Sequence, residues 1–371
     1  MLLTNPFRPD PRVHKEARTL AHAGYRVTVL CWDRNGEFPE FEQVEGIDIH
    51  RFHIQSAYSA GSRQTMYLPR FWRRAYQEIS RLAPDIVHCH DLDTTIPGYL
   101  YVRSHRIPWI YDAHECYPEQ IKPQVHPVIY KFLLWLEKFI SPRATKLITV
   151  GELLAERFRS FGAQTTVIGN YPELAAYQTL PHSVTRRDIG IPESNLIVAY
   201  IGGFTRAREI LPLIKSSSLV QDITFLLAGD GPQRPAIESA LPGFPNMRYL
   251  GWIPQEQVPA YTSLADVLYY GLNPSDGNNR YSAPNALFNA MAAGKPILTT
   301  DVGEIAHIVK AVGCGLVIPQ ATPEDITSAL DQLKEAALRK DMAIKAKAAS
   351  NSTYNWERAQ EKLLHIYQRL T

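Results

Sequence analysis

The amino-acid sequence predicts an α/β protein of two doubly wound domains. Three observations carry this: strand-like runs alternate with helical ones through both halves, a stretch without sustained period separates them, and one amphipathic helix closes the chain. At 371 residues, 45% hydrophobic and 20% charged, the chain is long enough for two separate cores.

In the first half Met1–Thr4 reads as the tail of a first strand, and strands follow at Arg26–Trp32, Asp85–His90, Trp109–Ala113, Lys146–Val150 and Thr166–Ile168. Each is a short apolar, β-branched or aromatic run bounded by turn residues. Helical spacing places helices at 11–23, about 66–82 and about 125–140. In the second half strands are predicted at Ile197–Ile201, Thr224–Ala228, Arg248–Tyr249, Val267–Tyr270, Ile297–Thr300 and Leu316–Ile318. The stretch Asn170–Pro192 is rich in proline, polar and small residues and reads as an interdomain linker. The expected organisation is therefore a first domain at 1–170, a linker at 171–192, a second domain at 193–353, and a helix at 354–371 that returns across the junction to the first domain.

Composition narrows the partners. Lys and Arg number 39 against 37 Asp and Glu, a net charge of +2, which excludes the field expected of a general nucleic-acid binder. Cys31, Cys89, Cys116 and Cys314 are scattered without a CxxC pair, favouring reduced structural thiols over a zinc site or a disulfide frame. Met1-Leu-Leu-Thr-Asn-Pro lacks both a basic start and a long apolar run, and no segment reaches the roughly 18 apolar residues of a membrane span. The expected location is the cytoplasm.

Doubly wound sheets bind ligands beyond the carboxyl ends of their strands, so the post-strand loops carry the chemistry. The run Ser282–Thr300 reads as a loop, a helix and a strand: Pro284 ends the loop, Asn285 is the predicted N-cap, Leu287, Phe288 and Met291 recur at helical spacing, and Gly294 stops the helix. Its first turn points free N–H groups and the positive dipole end at a phosphate-sized anion. After the strand ending at Ile201, Gly202-Gly203 permit close backbone approach, and Arg206 and Arg208 can reach diphosphate oxygens. The turn lacks the third glycine of a dinucleotide fingerprint and the glycine-lysine ending of a P-loop, which disfavours a dehydrogenase or an ATPase.

In the first domain His114 follows a strand end, with Asp112 and Glu115 close enough to influence its orientation and charge. Lone histidines are commonly structural, and the strand-end position is what favours function here. His88-Cys-His90-Asp91-Leu-Asp93 has the spacing of a zinc or manganese site, but no HExxH or cysteine cluster supplies a further ligand. The reading adopted is no metal. Arg70-Phe-Trp-Arg-Arg74 and the helix Val128–Ile140, with Ile129, Phe132, Leu133, Leu136 and Ile140 on one side, offer surfaces for an anionic membrane or a lipid-linked acceptor. For the helix, core packing is the favoured alternative. Peripheral contact at the inner face of a membrane extends the cytoplasmic expectation.

Taken in order, these segments resemble the GT-B-fold retaining glycosyltransferases of family four (glycosyltransferase group 1) across nearly the full chain. The matching pieces are Pro9–Ala17, Gly24-Tyr-Arg-Val27, His90-Asp-Leu-Asp93, Asp112-Ala-His-Glu115, Asn170-Tyr-Pro172, Gly202-Gly203 with Arg208, Gly229-Asp-Gly-Pro232, Ala283–Pro296 and Trp356-Glu357. The resemblance implies two Rossmann-like domains facing across a cleft, the second holding a nucleotide diphosphate sugar as substrate, the first a glycan or lipid-linked acceptor, and no cofactor. It implies donor contacts at Gly203, Arg206, Arg208, Asn285, Ala286, Leu287 and Asn289, with His114 and Arg208 as the catalytic residues and Arg12, Asp91, Asp112 and Glu115 on the acceptor side. Family members usually carry glutamate where this chain has Asn289, often lysine where it has Ala286, and often glutamate where it has Tyr281.

The leading expectation is a retaining, metal-independent transferase. Two alternatives stay open at this level: a non-catalytic partner or glycan-binding subunit whose donor site has decayed at Asn289 and Ala286, and a metal-dependent hydrolase built on His88, His90, Asp91 and Asp93.

Overall fold

Short apolar runs that end on small or polar residues become the strands of two mainly parallel sheets, one in each of two compact units. The computed structural model describes residues 1–8, 10–56, 67–180 and 184–371. Pro9 and the first residue of the helix expected at 66–82 lie outside the described residues, as do 181–183 of the linker.

The first unit comprises Met1–Gly169 and Gln360–Thr371. Its elements run β1 (Leu2–Leu3), α1 (Pro11–His22), β2 (Val27–Asp33), β3 (Phe41–Val44), β4 (Ile47–His53), α2 (Leu68–Leu82), β5 (Val87–His90), α3 (Thr95–His105), β6 (Trp109–Ala113), α4 (Tyr117–Ile121), α5 (Pro127–Ile140), β7 (Lys146–Thr149), α6 (Glu152–Ser160) and β8 (Thr165–Val167). The sheet order is β3-β4-β2-β1-β5-β6-β7-β8. Only β3 runs antiparallel, paired to β4 through the turn at Glu45-Gly46, where both residues have positive φ. That hairpin, α3 and α6 go beyond the elements expected from the sequence. Its alternation is real, with Ile47, Ile49 and Arg51 buried while the residues between them are only partly so.

The second unit is Asn170–Ala359. It contains α7 (Ala175–Thr179), β9 (Leu196–Ile201), α8 (Ile210–Ser216), β10 (Ile223–Ala228), α9 (Arg234–Ala240), β11 (Met247–Gly251), α10 (Val258–Leu264), β12 (Val267–Tyr270), α11 (Asn285–Ala293), β13 (Ile297–Thr300), α12 (Gly303–Val312), β14 (Gly315–Ile318), α13 (Pro323–Leu333) and α14 (Ala336–Ser352). The order β11-β10-β9-β12-β13-β14 is parallel throughout, and the central strands are buried on both faces. The last helix, α15 (Trp356–Gln368), starts in the second unit and from Gln360 onward belongs to the first. There Tyr367 meets Tyr25 edge-on at 5.3 Å and His88 at 6.1 Å.

The two membrane-facing expectations diverge. In Arg70–Arg74 the aromatic residues are structural: Phe71 is buried and stacks on Trp32 at 5.5 Å, and Trp72 Nε1 donates to the Asp93 carbonyl at 2.6 Å. In α5 only Leu136, Glu137 and Ile140 are buried, so core packing accounts for one side of the helix and leaves Phe132 on the surface.

Candidate active site

In the second unit the glycine turn after β9 interlocks with the loop after β10. Gly202 N–H donates to the Ala228 carbonyl at 3.0 Å and Phe204 N–H to that of Asp230 at 2.8 Å. A Cβ on Gly229 would stand 1.9 Å from the Gly202 carbonyl oxygen, and one on Gly231 would stand 2.6 Å from that of Phe204. Both have φ near +150°, so glycine is required twice over, by backbone conformation and by close approach. The Tyr200 hydroxyl donates to the Gly203 carbonyl at 2.7 Å and fixes the exposed tip of the turn.

Arg208 is held back toward the neighbouring strand. Its Nε donates to the Tyr270 hydroxyl at 3.0 Å and its Nη1 to Asn279 Oδ1 at 2.7 Å, while the guanidinium lies 5.2 Å from the Tyr270 ring centre. Asn279 is buried and in turn donates to the carbonyls of Ala207 and Asn273, both at 2.8 Å. It belongs to the loop that runs from β12 into α11. Because β12 pairs with β9, the arginine and the helix entry arise from the carboxyl ends of adjacent strands. Arg206 and Asn285 are exposed, Ala286 and Asn289 half-buried, and Leu287 is fully buried, so Leu287 contributes packing and its side chain is no ligand contact.

Asn285 is not the N-cap. It is the first helical residue, the cap is Pro284, and no side chain accepts from the first turn. Extended backbone at Pro284 and the fixed proline φ enter the helix directly; the Leu287 N–H donates back to the Pro284 carbonyl at 3.1 Å, which leaves the N–H groups of Asn285 and Ala286 for a ligand or water.

In the first unit a buried charged network stands behind the strand ends. His114, at the carboxyl end of β6, places Nε2 at 3.1 Å from His90 Nδ1 and 3.4 Å from Asp112 Oδ2, with Nδ1 3.6 Å from Asp91 Oδ2. Burial works against its charge, yet Asp91 and Asp112 prevail and push its pKa up to about 9. Asp112 is fully buried. Burial favours its neutral form, but Arg12 and His114 overrule this and hold it well below the usual carboxylate range. Arg12 Nη2 donates to both Asp112 oxygens at 2.8 and 3.0 Å and lies 3.2 Å from Glu16 Oε1, and its Nη1 donates to the Ile168 carbonyl at 2.8 Å. Burial, then the neighbouring Asp112, push Glu16 up to about 8. His88 donates or accepts at Nδ1 with the Tyr367 hydroxyl at 2.9 Å and stacks on His90 at 4.3 Å, and burial lowers the pKa of both rings.

Asp91 sits at φ +61°, ψ 165° directly after β5, a strained position for a residue with a Cβ. The strain is met by its backbone N–H, which donates to the Asp112 carbonyl at 2.8 Å, and by Oδ1, which accepts from the His114 backbone N–H at 3.0 Å.

Two readings of this region change. Arg12 and Asp112, expected to face the acceptor, are both buried and paired with each other, and of the two only Asp112 reaches His114. Asp91 and Glu115 retain partial exposure. The ligand set imagined for a metal also separates: Asp93 turns to Thr4 and Tyr117, and the side chains that gather around His88 and His90 are Glu16 and Asp112. Into that group Arg12 already directs a guanidinium, which supplies the positive charge its carboxylates need. From the sequence Tyr367 reads as part of the apolar face of the closing helix and Glu16 as part of the Pro9–Ala17 match, neither with a role in the site. The only local signal for Glu16 is an acid four residues after Arg12 on the apolar side of α1, beside Val13, Ala17 and Leu20.

The fold has solved counterparts. Sucrose-phosphate synthase from Thermosynechococcus elongatus superposes with a TM-score of 0.80 at 20% identity, covering 96% of this chain and 92% of that one. Anabaena Alr3699/HepE in complex with UDP and glucose gives 0.73 at 14% identity, covering 99% and 98%. An uncharacterized glycosyltransferase of Methanocaldococcus jannaschii, MJ1607, is 22% identical over 95% of this chain and 92% of its own length. Residues 12–171 match the family model for Glycosyltransferase Family 4, and residues 195–335 that for Glycosyl transferases group 1. The chain is a GT-B glycosyltransferase of family four. It is thus an enzyme of sugar transfer, and the glycine turn, Arg208 and the entry of α11 all fall within the group 1 match. In this glycosyltransferase His114 and the buried Arg12, Glu16, His88, His90 and Asp112 fall within the other.

Proposed function

We propose that this glycosyltransferase moves a sugar from a nucleotide diphosphate sugar to a glycan or lipid-linked acceptor, with retention and without a metal. The second unit takes the donor and the first unit the acceptor. One observation carries the donor assignment: Arg208 is tied through Asn279 to the loop that delivers the uncapped start of α11, so guanidinium and helix N–H groups share one strand-end surface. Such an arrangement suits a diphosphate, because fixed donors need no reorganisation as charge grows on the leaving group. In the transfer, the bond from the anomeric carbon to the β-phosphate oxygen breaks and the bond to the acceptor oxygen forms on the same face. The acceptor proton passes to the departing phosphate oxygen, so no strong protein base is required. The transition state is oxocarbenium-like. His114, held as an imidazolium, orients the reacting sugar from the first unit.

The Anabaena protein that shares the fold is described in complex with UDP and glucose, which makes UDP the first nucleotide to try. A ligand selective for the native state must raise its melting temperature. A melting screen with UDP, GDP, ADP and TDP is expected to give one clear winner. Arg208→Ala should abolish that shift and cut transfer roughly tenfold to a hundredfold, the size of a lost charge-assisted contact of about 1.5–3 kcal/mol, with a lower but still cooperative ligand-free melt because the Asn279 carbonyl oxygen loses its partner. No shift with any nucleotide at millimolar concentration would instead favour a non-catalytic subunit decayed at Ala286 and Asn289. Elemental analysis of the active protein should find no stoichiometric transition metal, and transfer should survive chelation.

A further inference from the structure

Helix α5 carries an outer surface that folding of the first unit leaves uncovered. Leu136 and Ile140 point inward, and Glu137 is buried against Arg157, with Arg157 Nε donating to Glu137 Oε2 at 3.0 Å. Val128 is 67% exposed, Phe132 48% and Trp135 56%. Those three and Phe139 follow one another at helical spacings of four, three and four residues, and so occupy one narrow strip of the helix. The rings form a continuous run: Phe132 to Trp135 at 5.7 Å, then Trp135 stacked on Phe139 at 5.2 Å. Isolated exposed apolar side chains are ordinary, whereas a contiguous row on one helix marks a surface that meets something apolar.

Charge identifies what it meets. Lys131 and Lys138 are exposed and fall together on one flank of the strip, and the Arg143 guanidinium caps its end 3.7 Å from the Phe139 ring centre. The helix has a single acid, Glu137, and that is buried and paired. A surface of aromatic rings edged by cations, with no exposed carboxylate on its helix, complements an apolar layer under an anionic skin. A second copy is a poor occupant, since an antiparallel two-fold contact along the strip sets Lys131 and Lys138 against one another and in a parallel one the helix offers no exposed carboxylate to meet them. At 14 residues α5 is too short to cross a bilayer, and no helix among the described residues is long and apolar enough to do so.

We infer that α5 docks the glycosyltransferase on the surface of an anionic bilayer, lying in the interface plane with Phe132, Trp135 and Phe139 among the upper acyl chains and Lys131, Lys138 and Arg143 at the headgroups. The inference rests on this surface alone. It deepens the lipid-linked arm of the proposed acceptor assignment by bringing the enzyme to where such an acceptor resides.

The test is co-sedimentation of the full chain with vesicles of phosphatidylcholine alone and of phosphatidylcholine mixed equally with phosphatidylglycerol. The expected result is binding to the anionic vesicles only, weakened by added salt. Two variants separate the two halves of the surface: Phe132→Ser with Trp135→Ser, and Lys131→Glu with Lys138→Glu. Each pair should lower vesicle affinity at least tenfold while leaving the melting temperature and its nucleotide-induced shift in place. Equal binding of parent and both variants overturns the inference, as does equal binding to uncharged vesicles. Dimerisation in solution that the serine pair abolishes, without any vesicle binding, assigns the strip to a second copy and also overturns it. Because nucleotide binding is followed in the same samples, failure of the membrane surface and failure of the donor assignment give different readouts.

Discussion

The strand ends of the two units solve the same problem, holding charge in place, by opposite means. In the first unit charge is largely buried and cancelled: Arg12 and His114 each lie within ion-pair distance of the Asp112 carboxylate behind the sheet edge. In the second unit position comes from backbone geometry and neutral hydrogen bonds, through Gly229 and Gly231, the Tyr270 hydroxyl and Asn279. The lesson is that damage should report differently. A substitution in the first network costs stability before function, and one in the second costs ligand binding before stability.

The sharpest way to break that contrast is Asp112→Ala. It strands a guanidinium and an imidazolium in a buried site, and removing one partner of a buried pair costs about 3–5 kcal/mol. Chemical denaturation should show that loss, with hydrogen exchange rising first in residues of the first unit. A loss no larger than that of a surface substitution would mean the network is not what holds these strand ends. The matching change in the second unit is Gly229→Ala, whose Cβ must displace the Gly202 carbonyl from a backbone at φ +149°. A destabilisation of about 1–3 kcal/mol is expected from the strain. Nucleotide affinity should fall by more than that alone explains, because the turn that carries Gly203 is pushed aside. Preserved affinity would unlink the turn from the ligand.

A pH titration sharpens the comparison further. His114 has a folded pKa of about 9, above its ordinary value of 6.5, so its contribution to stability is complete below about pH 6.5 and disappears as pH rises through 9. Glu16, raised from 4.5 to about 8, acts in the same sense, since its ionised form is disfavoured in the folded chain and stability declines as pH rises from 4.5 to 8. The His114 and Glu16 contributions should therefore fall from mildly acid to alkaline pH, opposed below about pH 6.5 by His88 and His90, whose lowered pKa values add stability as pH rises toward 6.5. His114→Gln is expected to flatten the alkaline limb and Glu16→Gln the neutral one. Parent and His114→Gln curves that run parallel between pH 6.5 and 9 would refute the charge assigned to His114. The smallest effect concerns Asn289, half-buried on α11. Asn289→Glu supplies a charged acceptor in place of an amide carbonyl, and calorimetry should show the preferred nucleotide bound severalfold more tightly.

Much of this was legible along the chain. Apolar runs such as Trp109–Ala113 and Val267–Tyr270 are strands with the expected bounds, because parallel strands buried on both faces read as unbroken apolar stretches between turn residues. The Gly202-Gly203 turn and the start of α11 were visible for the same reason, since turn and terminus chemistry is local. The hairpin β3–β4 was missed because Phe41–Val44 is a short edge strand with half its residues exposed, and such strands carry little apolar signal. Asn285 was misplaced because a good capping residue says nothing about whether proline has already turned the chain into the helix.

By itself the sequence determined most of the parallel strands, the alternation that makes two α/β halves, and the glycine turn and helix entry at their strand ends, since these follow from periodicity and turn residues over a few positions. Only the tertiary structure decided that Asp91 and Asp112 come together around His114 and raise its pKa, that Arg12 pairs with Asp112 away from water, and that one strip of α5 stays outside. Those properties depend on groups far apart in the chain, Arg12 and Asp112 being 100 residues apart and His88 and Tyr367 279, and on how completely folding removes water from between them.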